Sequence, residues 1–164
     1  MTNPQELTLL LDRLAAMPEF IVTSYASLSA TDAVTSLSAG EFAPVEQAWH
    51  LADLEVDGFA ERIRRLLEEE QPTLADFDGR RVAAERNYKT LPIREGIAAF
   101  RRARLANVER LRRVIDSQWA RRGSQEGVGE ISLADVPRMM EEHDASHRDE
   151  IVEWARARGR QRHS

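Results

Sequence analysis

Cysteine is absent from this 164-residue chain, which removes disulfides, thiolate nucleophiles and thiolate metal ligands together. Long apolar runs are missing too. None approaches the ~20 residues that a membrane span needs. The opening MTNPQELTLLLDRLAAM has no cationic start and sets Asp12 and Arg13 inside its apolar segment. Neither a signal peptide nor a membrane partner is therefore expected, and a cytoplasmic protein is the default. Positive charge is in deficit, with 23 basic against 28 acidic residues and a net charge of −5, which argues against a nucleic-acid partner. Among catalytic signatures, GxSxG, the P-loop, the dinucleotide glycine pattern and the ExxH pairs of a di-iron bundle do not occur. Alternation of β-branched residues is scarce.

What is plentiful is a period of 3.6. The composition, 42% hydrophobic and 31% charged, is that of a soluble globular protein. The length fits one domain, with a core from about 4 to 158 and a basic tail over 159–164. A first helix is expected from Pro4 to about Leu28, kinked or restarted at Pro18. A second spans Pro44 to Glu69, with Val45, Ala48, Trp49, Ala52, Val56, Phe59, Ile63, Leu66 and Leu67 inward. A connection of more than twenty residues follows, a length that points to a covered site or a small helix. The third helix runs from about Pro92 to Gln118, with Ile93, Ile97, Phe100, Val108, Leu111 and Ile115 inward. After a glycine-rich turn, ARRGSQEGVGEI, Ser132 and Asp135 form a near capping box for a fourth helix that reaches about Arg158, with Pro137 just past its first turn. Four long apolar stripes imply an all-α four-helix bundle.

The chain holds four histidines. In EEHDASHRDE, His143 and His147 stand four apart, which stacks them on one helix face. That face is the apolar one, set by Leu133, Val136, Met140, Ile151 and Trp154. Imidazoles buried there stay neutral, and the neutral form is the one that binds metal. His50 lies off the apolar centre of the second helix, on a stripe with Glu46, Asp53 and Asp57. It reads either as part of a solvated polar face or as the wet edge of a site. Together the three offer nitrogen ligands with an open position, the arrangement of a catalytic divalent ion. His163, in the tail, is expected to be uninvolved. Arg104 and Asn107 fall on the core face of the third helix and either complete an internal network with carboxylates or line a substrate cavity. HDASH differs from the zinc-protease HExxH by its shorter acid, Asp144, and no further ligand follows it, which argues against a peptidase.

GEFAPVEQAWHLADLE (40–55), FRRARLANVERLRRVI and WARRGSQEGVGEISLADVPRMMEEHDASHRDEI (119–151) together resemble the DinB/YfiT-like bundle proteins. The likeness runs through nearly the whole chain in order. It implies an up-up-down-down-type bundle in which His50, His143 and His147 bind one divalent metal, zinc or nickel. It also implies a small-molecule substrate and a homodimer. Characterised members include metal-dependent thiol S-transferases and isomerases that use a low-molecular-weight thiol, and others are described as metal-dependent hydrolases. In either chemistry the metal lowers the pKa of the nucleophile, thiol or water. Asp53, Glu46 or Asp57 would orient ligands or shuttle a proton, with Asp53 favoured by the family block. Arg104, Asn107, Arg86 and Tyr88 are candidate substrate contacts. The chain departs from many members in having no histidine around Ser124 and Gln125 and in having Glu150 where they have glutamine. A non-enzymatic bundle that acts in stress response through partner binding is the competing expectation.

Overall fold

The computed structural model describes residues 3–162; His163 lies outside them. Helix α1 spans Pro4–Ser24 and is followed by the short α2, Ala30–Ala33. The second rod of the bundle is built from α3 (Pro44–Asp53), a π-helical segment over Leu54–Ala60, and α4 (Glu61–Glu68). After strand β1 (Thr73–Leu74) come α5 (Gly79–Arg86) and the third rod, α6 (Ile93–Arg112). Strands β2 (Arg122–Gln125) and β3 (Gly129–Ser132) lead into the fourth rod, α7 (Val136–Arg162). No helix among the described residues is long and apolar enough to cross a membrane.

Helix α6 packs on α1 and on α3, and α1 packs on α7. Polar side chains join α3 to α7, among them the pairs Gln47–Glu150 and His50–His143. The core divides into two apolar clusters. Leu14, Leu54, Phe59, Ile63, Leu66, Val108 and Met140 belong to one, and Met17, Ile21, Leu51, Phe100 and Ile151 to the other. On each rod the change from one cluster to the other falls at the same level, and there the interior is polar.

Pro18 does not restart α1; it is buried within a helix assigned without a break from Pro4 to Ser24. A proline has no N–H for the carbonyl four residues before it, here that of Leu14. The guanidinium of Arg104 takes over that role, donating from Nη1 to the Leu14 oxygen at 3.2 Å. Asn107, one turn further along α6, donates from Nδ2 to the backbone oxygen of Glu55 at 2.9 Å, inside the π segment where wider turns disturb the helical ladder. Two irregularities in neighbouring helices are thus satisfied from one face of α6.

Other boundaries also shift. Helix α1 ends at Ser24, before Leu28, and α6 ends at Arg112, before Gln118, which leaves Ile115 outside the helix and exposed. Val56, expected in the core, is 55% exposed because the π turn resets the phase of the rod. The glycine-rich turn closes a hairpin: β2 pairs antiparallel with β3 and parallel with β1. Gly123 permits that parallel approach, since a Cβ there would stand 2.7 Å from the Pro72 oxygen. Ser132 and Asp135 do form the capping pair, across a 3₁₀ turn over Leu133–Asp135 that leads directly into α7, so Pro137 lies within the first turn of that helix.

Candidate functional site

Three imidazoles meet in the polar layer. His50 comes from α3, and His143 and His147 from successive turns of α7. Nε2 of His143 lies 3.3 Å from Nε2 of His50 and 3.0 Å from Nε2 of His147. Ligand atoms of all three fall within 4.8 Å of one another. Two nitrogens at zinc-ligand distance in a tetrahedral arrangement stand about 3.3 Å apart, so the spacing suits a shared divalent ion.

The proton positions point the same way. The carboxylate of Glu150, an acceptor only, receives the Nε2–H group of Gln47, which turns the Gln47 Oε1 towards Nδ1 of His147. That contact fixes the His147 proton on Nδ1 and leaves its Nε2 lone pair facing the other two rings. Nδ1 of His50 and of His143 are buried without a hydrogen-bond partner. Burial, reinforced by the neighbouring imidazole of His147, pulls His50 down to about 4 and His143 down to about 3. Both are neutral at pH 7 and carry free lone pairs. Glu150 is held down at about 2, chiefly by its hydrogen bonding with His147 and then with Gln47.

His50 is more enclosed than its place on the stripe suggests, only 8% exposed. Phe42 and Phe77 flank its ring, with centroids 5.2 and 5.9 Å away. Against its edge lies Gly79, the first residue of α5, which explains what the long connection covers. A Cβ at Gly79 would stand 2.5 Å from Cε1 and 2.6 Å from Nδ1 of His50. With phenyl rings on both sides the imidazole has little room to retreat. Gly79→Ala is therefore expected to weaken metal binding by about tenfold or more, as supporting residues around metal sites do, while far-ultraviolet circular dichroism stays unchanged. Unaltered affinity in a metal titration would refute the close packing.

Of the other candidates, Glu46 spends its carboxylate on the N-terminus of α3, accepting from the Ala43 amide at 2.8 Å. Asp53 accepts the hydroxyl of Tyr88 and the guanidinium of Arg86, so these three hold α5 and its following turn against α3. Glu46, Tyr88 and Lys89 line an adjoining hollow of about 620 Å³, which shares Phe42 and Arg80 with the space beside the histidines. Arg104 and Asn107 take the internal of their two alternatives. Arg104 is fully buried and donates to Glu55, to both oxygens of Asp144 and to Leu14. Asn107 donates to the carboxylate and backbone oxygen of Glu55. With its donors engaged inside the protein, Arg104 has none to offer a substrate anion, which corrects that expectation. Asp144 likewise faces Arg104 and not the histidines, so it holds no position of a protease general base.

Gln47 was missed in the sequence, and Glu150 stood out there only as a departure from the family's glutamine. The signal was present: each stands three residues from a histidine of the cluster, and positions three apart share a helix face. On the cavity side, His50 and His147 border a space of about 760 Å³ between α3, α7 and the 76–80 segment.

Residues 5–151 match the family model described as the DinB superfamily. Among solved structures the fold is similar to that of YfiT from Bacillus subtilis, with a TM-score of 0.88 and 19% identity over 97% of this chain and 91% of that one. That protein is described as "a probable metal-dependent hydrolase with an unusual four-helix bundle topology". At such identity the likeness is one of fold. No curated protein sequence matches the chain.

Proposed function

We propose that this chain, which belongs to the DinB superfamily, is a metal-dependent enzyme of the hydrolase type acting on a small molecule. His50, His143 and His147 would hold one divalent ion through Nε2, and imidazole ligands suit zinc and nickel alike. The observation that carries the reading is the convergence of three imidazoles, two of which, His50 and His147, border a 760 Å³ cavity. A divalent ion supplies Lewis acidity there, which in zinc sites brings the pKa of water down to about 7.

The chain's own residues do the rest. Glu150 and Gln47 set the tautomer of His147, and Gly79 with Phe42 and Phe77 fixes the ring of His50. Glu150, about half exposed at the cavity wall, is the carboxylate nearest the cluster by hydrogen bonding; held ionised there, it orients Gln47 and His147. Asp53 and Glu46 act at a distance, by holding α5 and the start of α3.

Elemental analysis of purified protein should give about one zinc or nickel per chain. A panel of small esters and amides should include a substrate whose hydrolysis stops on chelation and returns with the metal. Substoichiometric metal that is unchanged in His143→Ala would sink the reading. Turnover that requires an added low-molecular-weight thiol would move the chemistry from hydrolysis to thiol transfer. Stoichiometric metal without turnover on either panel would favour the non-enzymatic alternative.

A further inference from the structure

The cavity beside the histidines has a marked electrical character. Six carboxylates line it, those of Glu41, Asp76, Asp78, Asp149, Glu150 and Glu153, against a single lining guanidinium, that of Arg80; Asp76 and Glu153 also make long ion pairs, at 3.8 and 3.9 Å, with Arg62 and Arg160. Arg80 already donates from Nη1 to the Gly40 oxygen at 2.8 Å. Between the carboxylates stand four aromatic rings, Tyr25, Phe42, Phe77 and Trp154. The histidines add no charge while neutral, and a bound dication would still leave the lining negative. An acidic rim alone would say little. Here it surrounds a concave space whose floor includes His50, itself more than nine-tenths buried and with a buried Nδ1 that has no partner.

Carboxylates repel anions and attract cations, and aromatic faces add quadrupolar attraction for an ammonium group on an apolar body. A cavity walled by both is matched to an organic cation. The elements also give it a direction. Asp149 and Glu153 follow His147 along α7 by two and six residues, and six residues of helix rise about 9 Å. Along the helix axis the two carboxylates therefore stand on the order of 3 and 9 Å from His147.

We propose that the cavity selects substrates carrying an ammonium or amine group on an apolar body, with the cation seated towards Asp149 and Glu153 and the reacting bond at the histidines. The placement of the reacting bond rests on the hydrolase reading; the cation preference rests on the lining alone. The same lining disfavours substrates or thiol cofactors rich in carboxylates.

Calorimetry with three probes of matched shape separates the two. These are 3-phenylpropylamine, 3-phenylpropanol and 3-phenylpropionate, each titrated into metal-loaded and into chelator-treated protein. The amine is expected to bind tightest in both forms, at least about tenfold tighter than the carboxylate at low salt. That ratio should shrink several-fold at about 0.5 M salt, where the Debye length is only a few ångströms. It should also shrink in the double variant Asp149→Asn/Glu153→Gln, whose metal content should be unchanged because neither residue reaches the imidazoles. A carboxylate that binds as well as the amine overturns the proposal. So does failure of the amine to bind at about millimolar concentration, a weak affinity for a cavity ligand, or a preference that survives both salt and the double variant. An amine preference in a protein that hydrolyses nothing leaves the proposal standing and removes the hydrolase reading. Hydrolysis without an amine preference does the reverse.

Discussion

Arg104→Met should destabilise the protein by about 3–5 kcal/mol, the usual cost of removing one partner from a buried ion pair. For a chain of this size that lowers the midpoint of thermal unfolding by roughly 10 °C. The side chain is fully buried, and its charge is balanced by Glu55 and Asp144, which are buried with it. Burial already pushes the carboxyl of Glu55 up, and the Arg104 guanidinium is the chief influence that opposes this. Methionine fills comparable space but leaves two carboxylates facing each other without a cation. It also strands the Leu14 carbonyl that Pro18 cannot serve. The triple variant Arg104→Met/Glu55→Leu/Asp144→Leu should recover much of the loss, because a buried charged cluster replaced by apolar groups is often no less stable. Chemical denaturation of the wild type, single and triple variants measures both steps. A single variant within about 1 kcal/mol of wild type would show that the network is dispensable. Asp144 directly follows His143, so the same network sets the rotation of α7 at the cluster. Metal affinity should therefore fall in the single variant even below its unfolding temperature.

This network marks where the sequence could be read and where it could not. Apolar periodicity was enough for four rods, since each buries a stripe against its neighbours and the period of α1, α6 and α7 is regular. The histidine pair was legible for the same reason: positions 143 and 147 fall on the stripe of α7. His50 was harder to place. One straight α-helix from Pro44 to Glu69 would carry a single apolar stripe. The π segment over Leu54–Ala60 changes the phase partway, so residues such as Val56 shift the apparent apolar face away from His50. No periodicity in the sequence announces a π turn. Its support, Asn107 on another helix, is a contact over 52 positions. The small sheet was hidden for a similar reason. Strand β1 is two residues long, and nothing in THR-LEU predicts a parallel partner some fifty residues later. Nor could propensity foresee that Pro18 would be tolerated in mid-helix, because the group that compensates it comes from α6.

Binding of zinc or nickel to the three imidazoles should raise the thermal stability of the wild type by on the order of 10 °C, and His143→Ala should abolish that rise. A ligand that binds only the native state stabilises it by about 4 kcal/mol at a free concentration a thousand times its dissociation constant. At roughly 2–4 °C per kcal/mol for this chain length, that gives the expected shift. The effect is large because unfolding takes the ligands far apart: His50 is separated from His143 by 93 residues, and the unfolded chain offers at best the local pair. His143 is the informative position, since its Nε2 touches both other nitrogens and its removal leaves no contact between the remaining two that a hydrogen bond spans. His143 is also less buried than its neighbours, so the metal-free variant should stay folded and the comparison remains clean. Gln47→Ala should give an intermediate result, because His147 keeps its place but loses the acceptor that fixes its tautomer. A metal-induced shift about as large in His143→Ala as in the wild type would place the ion elsewhere and separate the cavity from the chemistry assigned to it.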